Sequence, residues 1–596
     1  MNCDYTILIK PLRANSEFQV RNEFERFQKN VPTYLRSNVH NRIAVGTESK
    51  IHEASGKILI LNGEIYGEDA PISGNQAEIL FKLYNKKGIN FVSDLNGSFS
   101  IIIIESCNIY FITDRLNTYK IFIREESGSY WLSSNIDNIP KLEELSHAGV
   151  ASYLINGHLL CNLTLYKDVF TLDRSTIYTI NGCGINQRKY WDYLFEYENQ
   201  SRSDDDLANE LCHILIRSVK RRINGDEKIY ISLSGGWDAR GILGIVKHPE
   251  IDHKNVELIT YTHGPLLPDS DAEIAAKLAK SAGFNHRTFE FYNNNIKSVI
   301  ADNASMGKGL SYFCQEVNFW KMMGEEFKSS EKNVFMHGNM ANGTFSSFHG
   351  DHLRAISRSE VYDNSILKPY QNLFEDEFYQ NMITKYDQVY EKVKQKILRY
   401  ENIVDALDYL DLDQKVPFVY NSWRENYQRP FVKVLSPYLD NDFLDFMRKL
   451  KPEQRNKKHI LKLALAKIAP ELFSISRNTI SEPYPDWDQE IRAEKDYFIN
   501  KLQNDNYLAP FVRINEFSEF LNPVTQALTF KTRMRSVLKI VHRSFSKIFP
   551  NYYEIIEAIP MGKKLTRKAG NYIKPKMVFF LPKLAILLSV LQKEDK

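Results

Sequence analysis

The sequence has no long hydrophobic run. Nothing in it approaches the ~20 apolar residues of a membrane-spanning helix. Near the N-terminus only Thr6 to Ile9 is apolar, far short of a signal peptide's apolar region. Cysteine is sparse: six in 596 residues, at Cys3, Cys107, Cys161, Cys183, Cys212 and Cys314, without metal-ligand spacing. That usage suits a reducing compartment better than a disulfide framework. Charge of one sign is missing too, with a net of +3, so whole-chain electrostatics makes no case for a nucleic-acid partner. These absences lead us to expect a cytoplasmic protein. What remains, 43% hydrophobic and 25% charged residues, is a globular composition. The chain is too long for one core, and two or three domains are expected.

The stretch organising the chain is KIYISLSGGWDARGILGIV, residues 228–246. Ile229 to Leu233 is β-rich and apolar, a short buried strand. Ser234-Gly235-Gly236-Trp237 gives a turn where backbone can approach a ligand closely. Asp238 then opens a helical stretch, Ala239 to Val246. Strand, small-residue loop and helix N-terminus form an oxyanion cradle, because free N–H groups and the helix dipole converge there. Asp238 beside bound phosphates would hold a divalent cation. An ordinary strand-to-helix turn is the bland alternative.

Ser234-Gly235-Gly236-Trp237-Asp238 resembles the pyrophosphate loop of the ATP-pyrophosphatase superfamily, Ser-Gly-Gly-x-Asp-Ser, with Ala239 in place of the last Ser. Those enzymes split ATP between the α and β phosphates and attach AMP to a carbonyl oxygen. LNGEIYG at 61–67 resembles the Asn-Gly-Glu-Ile-Tyr-Asn element of class II glutamine amidotransferase domains. The resemblance makes Asn62 and Gly63 an oxyanion hole and Glu64 the partner of the substrate glutamine's amine. Read alone, Asn62-Gly63 is a type I′ turn. LNGSFSIIIIES at 95–106, Asp114-Arg115, Tyr130 to Asn135 and Tyr153 to Gly157 continue the similarity in order.

Over roughly residues 55 to 490 the chain therefore resembles the asparagine synthetase family, which includes β-lactam synthetases and lasso-peptide cyclases. The resemblance implies an N-terminal amidohydrolase-like αββα sandwich over 1–195. A doubly wound parallel-sheet ATP-pyrophosphatase domain over 205–505 should follow, then a basic helical C-terminal extension over 510–596. EYENQSRSDDD, 196–206, reads as the linker, and Leu207 to Arg222 as a helix. Val256 to Tyr261 is a second strand; Asp269, Ser270 or Asp271 would cap a surface helix beginning near Ala272.

Departures from the family pattern matter as much. These amidotransferases use the thiol and free amine of an N-terminal Cys, whereas Cys3 here follows Asn2. A nucleophile without its base is weak, so the domain is expected to be architectural rather than glutamine-hydrolysing. VFMHGNMANGTFSSFHG at 334–350 stands where relatives carry Ser-Gly-Glu-Gly-x-Asp-Glu. His337, Asn339, Asn342 and Gly343 replace Ser, Glu, Asp and Glu, leaving no anionic ligand. Ser436 to Asp440 resembles an x-Pro-Phe-Leu-Asp element, but Leu435 replaces its preceding Arg, with Arg424 and Arg429 the nearby substitutes. The catalytic Lys of relatives has no equivalent between Ser474 and Trp487.

The implied function is an ATP-dependent amide-forming ligase that adenylates a carboxylate for attack by an amine or ammonia. Ser234, Gly235, Gly236, Asp238, Arg240 and Arg477 are the ATP and pyrophosphate contacts, and Asp238 the Mg²⁺ ligand. No catalytic residue is named. The rival reading is a catalytically decayed binding or scaffolding homologue. Substrates would be small-molecule or peptide carboxylates and amines. The basic stretch Met561 to Lys576 before the apolar run Val578 to Leu591 reads either as a peripheral membrane contact or as a docked helix with a solvated approach. Oligomeric state stays open.

Overall fold

The computed structural model describes residues 4–11, 17–27, 33–38, 40–47, 49–67, 74–140, 144–197, 201–253, 255–262, 270–338, 361–476, 485–504, 506–522 and 580–593. They belong to two compact units, Met1–Gln371 with Asp376–Pro485, and Asn372–Glu375 with Asp486–Lys596.

The first unit begins with twelve strands: β1 (Tyr5–Pro11), β2 (Thr33–Ser37), β3 (Asn41–Thr47), β4 (Lys50–Ala54), β5 (Lys57–Ile65), β6 (Gly97–Ile104), β7 (Ile109–Thr113), β8 (Phe122–Glu126), β9 (Ser129–Ser133), β10 (Val169–Thr171), β11 (Thr176–Asn181) and β12 (Gly184–Lys189). They form two six-stranded sheets, β10-β8-β9-β1-β3-β2 and β12-β11-β7-β6-β5-β4. Side chains alternate across each strand. Ile58 and Ile60 of β5 and Ile102 and Ile104 of β6 therefore meet Tyr5, Ile7 and Ile9 of β1 between the sheets. Leu59, Leu61, Ile101 and Ile103 point the other way, onto Ala77, Leu80 and Phe81 of helix Gln76–Lys87. Burial on both faces is why these strands read as unbroken apolar runs. Helix Glu17–Phe27 lies on the first sheet, with Phe24 stacked on Trp131. The layers are αββα. Asn62 and Gly63 sit inside β5, opposite Ser100 and Phe99, and not in a hairpin turn.

The acidic run expected to end the linker is instead the start of a helix, Asp204–Lys220, whose N-cap Ser203 accepts from Asp206 N. Carboxylates are favourable in a first helical turn because they face the positive end of the macrodipole.

Five parallel strands follow: β13 (Lys228–Ser232), β14 (Asn255–Thr262), β15 (Asn285–Glu290), β16 (Asn333–Met336) and β17 (Lys433–Leu435). Their order is β15-β14-β13-β16-β17. The chain winds outward from β13 through β15, then returns to place β16 on the other side of β13. That reversal makes a switch point, where ligands bind beyond the strands' carboxyl ends in such sheets. Beyond the sheet, Asp411–Asn421 winds as a π-helix containing Pro417. Proline has no N–H to continue a ladder, and the Pro417 carbonyl accepts from Lys120 Nζ at 2.9 Å.

In the second unit, helix Phe580–Val590 packs on helices Trp487–Ala493 and Lys495–Gln503, and Leu581 to Leu588 are buried. Asp488 caps it through Leu581 N at 3.3 Å. Leu581 to Leu588 are thus covered by protein, as in the docked-helix alternative. Met561 to Lys576 lies outside the described residues. No helix among the described residues is long and apolar enough to cross a membrane.

Candidate functional site

The switch point holds the expected loop. Helix Trp237–Val246 begins directly after β13, with Gly236 as its N-cap. Gly236 N donates to Ser234 Oγ at 3.2 Å, and Gly235 N to Asp271 Oδ1 at 2.8 Å. An anionic oxygen therefore already stands at a cradle amide, which is the chemistry a phosphate oxygen would supply. The sequence offers Asp271 only as one of three helix-cap candidates. Ser270 does the capping, accepting from Glu273 N, and Asp271 faces the loop instead. From the other side of the switch point comes Gly338. A Cβ there would lie 2.6 Å from backbone atoms of Asp238 and Ala239, so only glycine lets β16's end approach. Trp237 stacks on Phe473 at 4.9 Å between centroids.

A lysine missed in the sequence completes the loop. Lys458 Nζ donates to both carboxylate oxygens of Asp238, each at 2.6 Å. Lys457 and Lys458 both have left-handed backbone, φ 54° and 58°. For a residue with a Cβ this costs about 1–2 kcal/mol each. Lys458 then leads into helix His459–Ile468. Nothing local announces the contact, which spans 220 positions.

Arg240 is fully buried. Its guanidinium donates to the carbonyls of Leu472, Ile475 and Gly235. This corrects its expected role: it ties the loop to the segment after helix His459–Ile468 and does not present itself to phosphate. Arg477, Asn339, Asn342, Gly343 and Cys3 lie outside the described residues. His337 is buried, turned from the loop to Gln428 Oε1 at 2.6 Å. Burial, with Arg424 beside it, holds its pKa down to about 3, so the ring is neutral and its Nε2–H donates.

The family's Mg²⁺ does not fit the described residues well. Magnesium takes oxygen ligands in near-octahedral array, usually from one or two carboxylates. Here Asp238 is already neutralised by an ammonium, and Asp271 is occupied by a loop amide. Among the described residues no group of three or more His, Cys, Asp or Glu could hold a metal.

The second region is the glutamine-type site. Asn62, Gly63 and Glu64 line a cleft of about 320 Å³ with Tyr119, Arg429 and Lys433. Gly63 has φ +107°, a conformation L-residues avoid. Glu64 Oε1 is 2.7 Å from Lys433 Nζ, and Tyr66 OH donates to its other oxygen at 3.3 Å. Lys433 comes from β17, so the carboxylate expected to meet a substrate amine is bound to the synthetase-like half. Arg429 stacks on Tyr119 at 3.8 Å and donates to Thr118 O. Arg424 is buried and donates to Asn421 Oδ1; burial pushes its guanidinium down to about 9. Arg424 is thus buried beside Asn421, while Arg429 lines the cleft.

Two sheets of one type followed by a parallel sheet with this loop define a combination that comparison can place. The asparagine synthase family model matches residues 210–539, more than half of the chain. The chain belongs to the asparagine synthetase family. The glutamine amidotransferase domain model matches residues 39–191. A Methanocaldococcus jannaschii protein named as an asparagine synthetase is 26% identical over 211 residues, covering 32% of this chain and 40% of its own. Amidase chry2 of Gibberella zeae is 24% identical over 296 residues, covering 46% and 43%. Glutamine-hydrolysing asparagine synthetase 2 of Bacillus subtilis is 24% identical over 279 residues, covering 42% and 36%. The chain thus spans about two fifths of the length of these relatives.

Proposed function

We propose that the chain is an ATP-dependent amide-forming ligase. A carboxylate oxygen attacks the α-phosphorus of ATP, pyrophosphate leaves, and an amine then displaces AMP to give the amide. The observation that carries this reading is the Ser234 to Asp238 loop at the carboxyl end of β13, beside the β13–β16 switch point. Ser234, Gly235 and Gly236 would offer backbone N–H groups to pyrophosphate, a phosphate oxygen displacing Asp271 from Gly235. Arg477 remains a proposed contact. Glu64, held by Lys433 and Tyr66, is poorly placed to receive glutamine. The nitrogen would therefore come from ammonia or a substrate's own amine, and the acid from a small molecule or peptide.

The test is the melting temperature of the full chain with millimolar ATP and Mg²⁺, followed by incubation with cell extract and assay for AMP and pyrophosphate. Ligand at ~100 times its dissociation constant stabilises by about 2.7 kcal/mol, enough for a clear shift. A shift with AMP formation supports the ligase. His337, Asn339, Asn342 and Gly343 favour a decayed binding homologue as the second reading, and a shift without AMP from any extract would select it. No shift would overturn the nucleotide site altogether.

A further inference from the structure

The loop's acid and its cation are both fixed by the chain itself. Lys458 meets both oxygens of Asp238 at 2.6 Å, with side chains only 11% and 25% exposed. An incidental surface pair is held by a long side chain from relaxed backbone and is worth little. Lys458 reaches its place from two successive left-handed residues, and strained backbone that persists clusters at ligand clamps. The anionic positions of the second signature are meanwhile amides or glycine in the sequence, at Asn339, Asn342 and Gly343. Those three positions carry no charge, and of the two acids at the loop Asp271 is held by the Gly235 amide and Asp238 by an ammonium.

We propose that Lys458 is the resident cation of this loop, taking at Asp238 the place of a divalent metal and meeting the phosphates of the nucleotide. This rests on the nucleotide reading above and adds its charge mechanism. Asp238 positions the ammonium; the Gly235 and Gly236 amides and Lys458 together face the anion. No proton or electron passes through Lys458. Its charge simply lies where charge grows as pyrophosphate leaves, the place where fixed charges count most.

The experiment measures binding of inorganic pyrophosphate and of ATP to the full chain, in EDTA and in Mg²⁺, by calorimetry and melting temperature. Wild type should bind pyrophosphate in EDTA, with Mg²⁺ changing the affinity less than about threefold, since one ammonium already provides the charge-assisted contact. Lys458→Met should weaken binding in EDTA by at least about tenfold, the size of one hydrogen bond to a charged group. Lys458→Arg should restore most of it. Circular dichroism and ligand-free melting separate loss of binding from loss of fold, and Lys458→Gln provides a second neutral variant. Binding that strictly requires Mg²⁺, or equal binding by Lys458→Met in EDTA, overturns this inference alone. No binding of either ligand under any condition overturns the nucleotide reading and takes this inference with it.

Discussion

Glu64 and Asp238 invite comparison. Each is the carboxylate of a short glycine-containing motif, and each is held by a lysine far along the chain, Glu64 by Lys433 at 2.7 Å and Asp238 by Lys458 at 2.6 Å. The lysines differ in how they arrive. Lys433 lies in β17, paired regularly with β16, so its ammonium reaches Glu64 without backbone cost and ties two halves together. Lys458 needs two left-handed residues. A contact that relaxed backbone provides is explained by packing; one that persists from two successive left-handed residues is the motive for the ligand proposal. The same charge pairing thus closes one site and equips the other.

The largest test of that difference is in the glycines. At Gly63, alanine would adopt φ +107° with its Cβ 2.2 Å from Ser98 O. Strain and overpacking together should cost on the order of 3 kcal/mol, read by chemical denaturation, while pyrophosphate affinity stays unchanged. At Gly338 the added Cβ would press on Asp238 and Ala239 at 2.6 Å. Gly338→Ala should cost about 1–3 kcal/mol and also weaken pyrophosphate binding. Equal loss of binding in both variants would break the comparison.

A middle-sized effect belongs to His337, beside the loop on the β16 side. Its Nε2–H bonds Gln428, Arg424 lies near, and the rings of Phe335 and Trp423 flank it. With a folded pKa lowered to about 3 from 6.5, the native state refuses the proton that the unfolded chain accepts. Stability is therefore present above pH 6.5 and falls as pH drops toward 3. At pH 5 the loss is about 2 kcal/mol, at 1.36 kcal/mol per pH unit. His337→Ser, which carries no titrating ring, should lose that much less between pH 7 and pH 5 in denaturant titrations. Parallel slopes for the two proteins would refute it.

How much the sequence disclosed follows the same division between backbone and long-range charge. Strands β5, β6 and β13 were legible because buried strands need apolar runs, and the loop because a close-approach turn needs Gly235 and Gly236. The helix start at Ser203 was misread as linker, since acids that solvate a linker also suit a first helical turn. Arg240 was misread because it lies only two residues past Asp238, while its burial against Leu472 and Ile475 depends on tertiary contacts. The contacts that Lys433, Lys458 and Asp271 make have no local signature. Their roles come from which residues the folded sheet and helices bring together.

The smallest effect isolates the glutamine-type site. Lys433→Met removes the ammonium from Glu64, leaving Tyr66 OH as a donor to it at 3.3 Å. The pair is partly open, with side chains 28% and 15% exposed, so water can solvate the freed carboxylate and the cost should be about 1 kcal/mol. That small loss would be a strut's contribution, not a catalytic one. Pyrophosphate affinity should not change, because Lys433 is in neither the loop nor its lysine clamp. Glutamine supplied to wild type should release no glutamate above the uncatalysed rate, since Glu64 is engaged. Glutamate release by wild type would show that the Lys433 pair opens to admit substrate, and the closed half of the comparison would fall. A weakened loop in Lys433→Met would instead reveal coupling between the halves through β17 and its neighbour β16, the strand that brings Gly338 to Asp238.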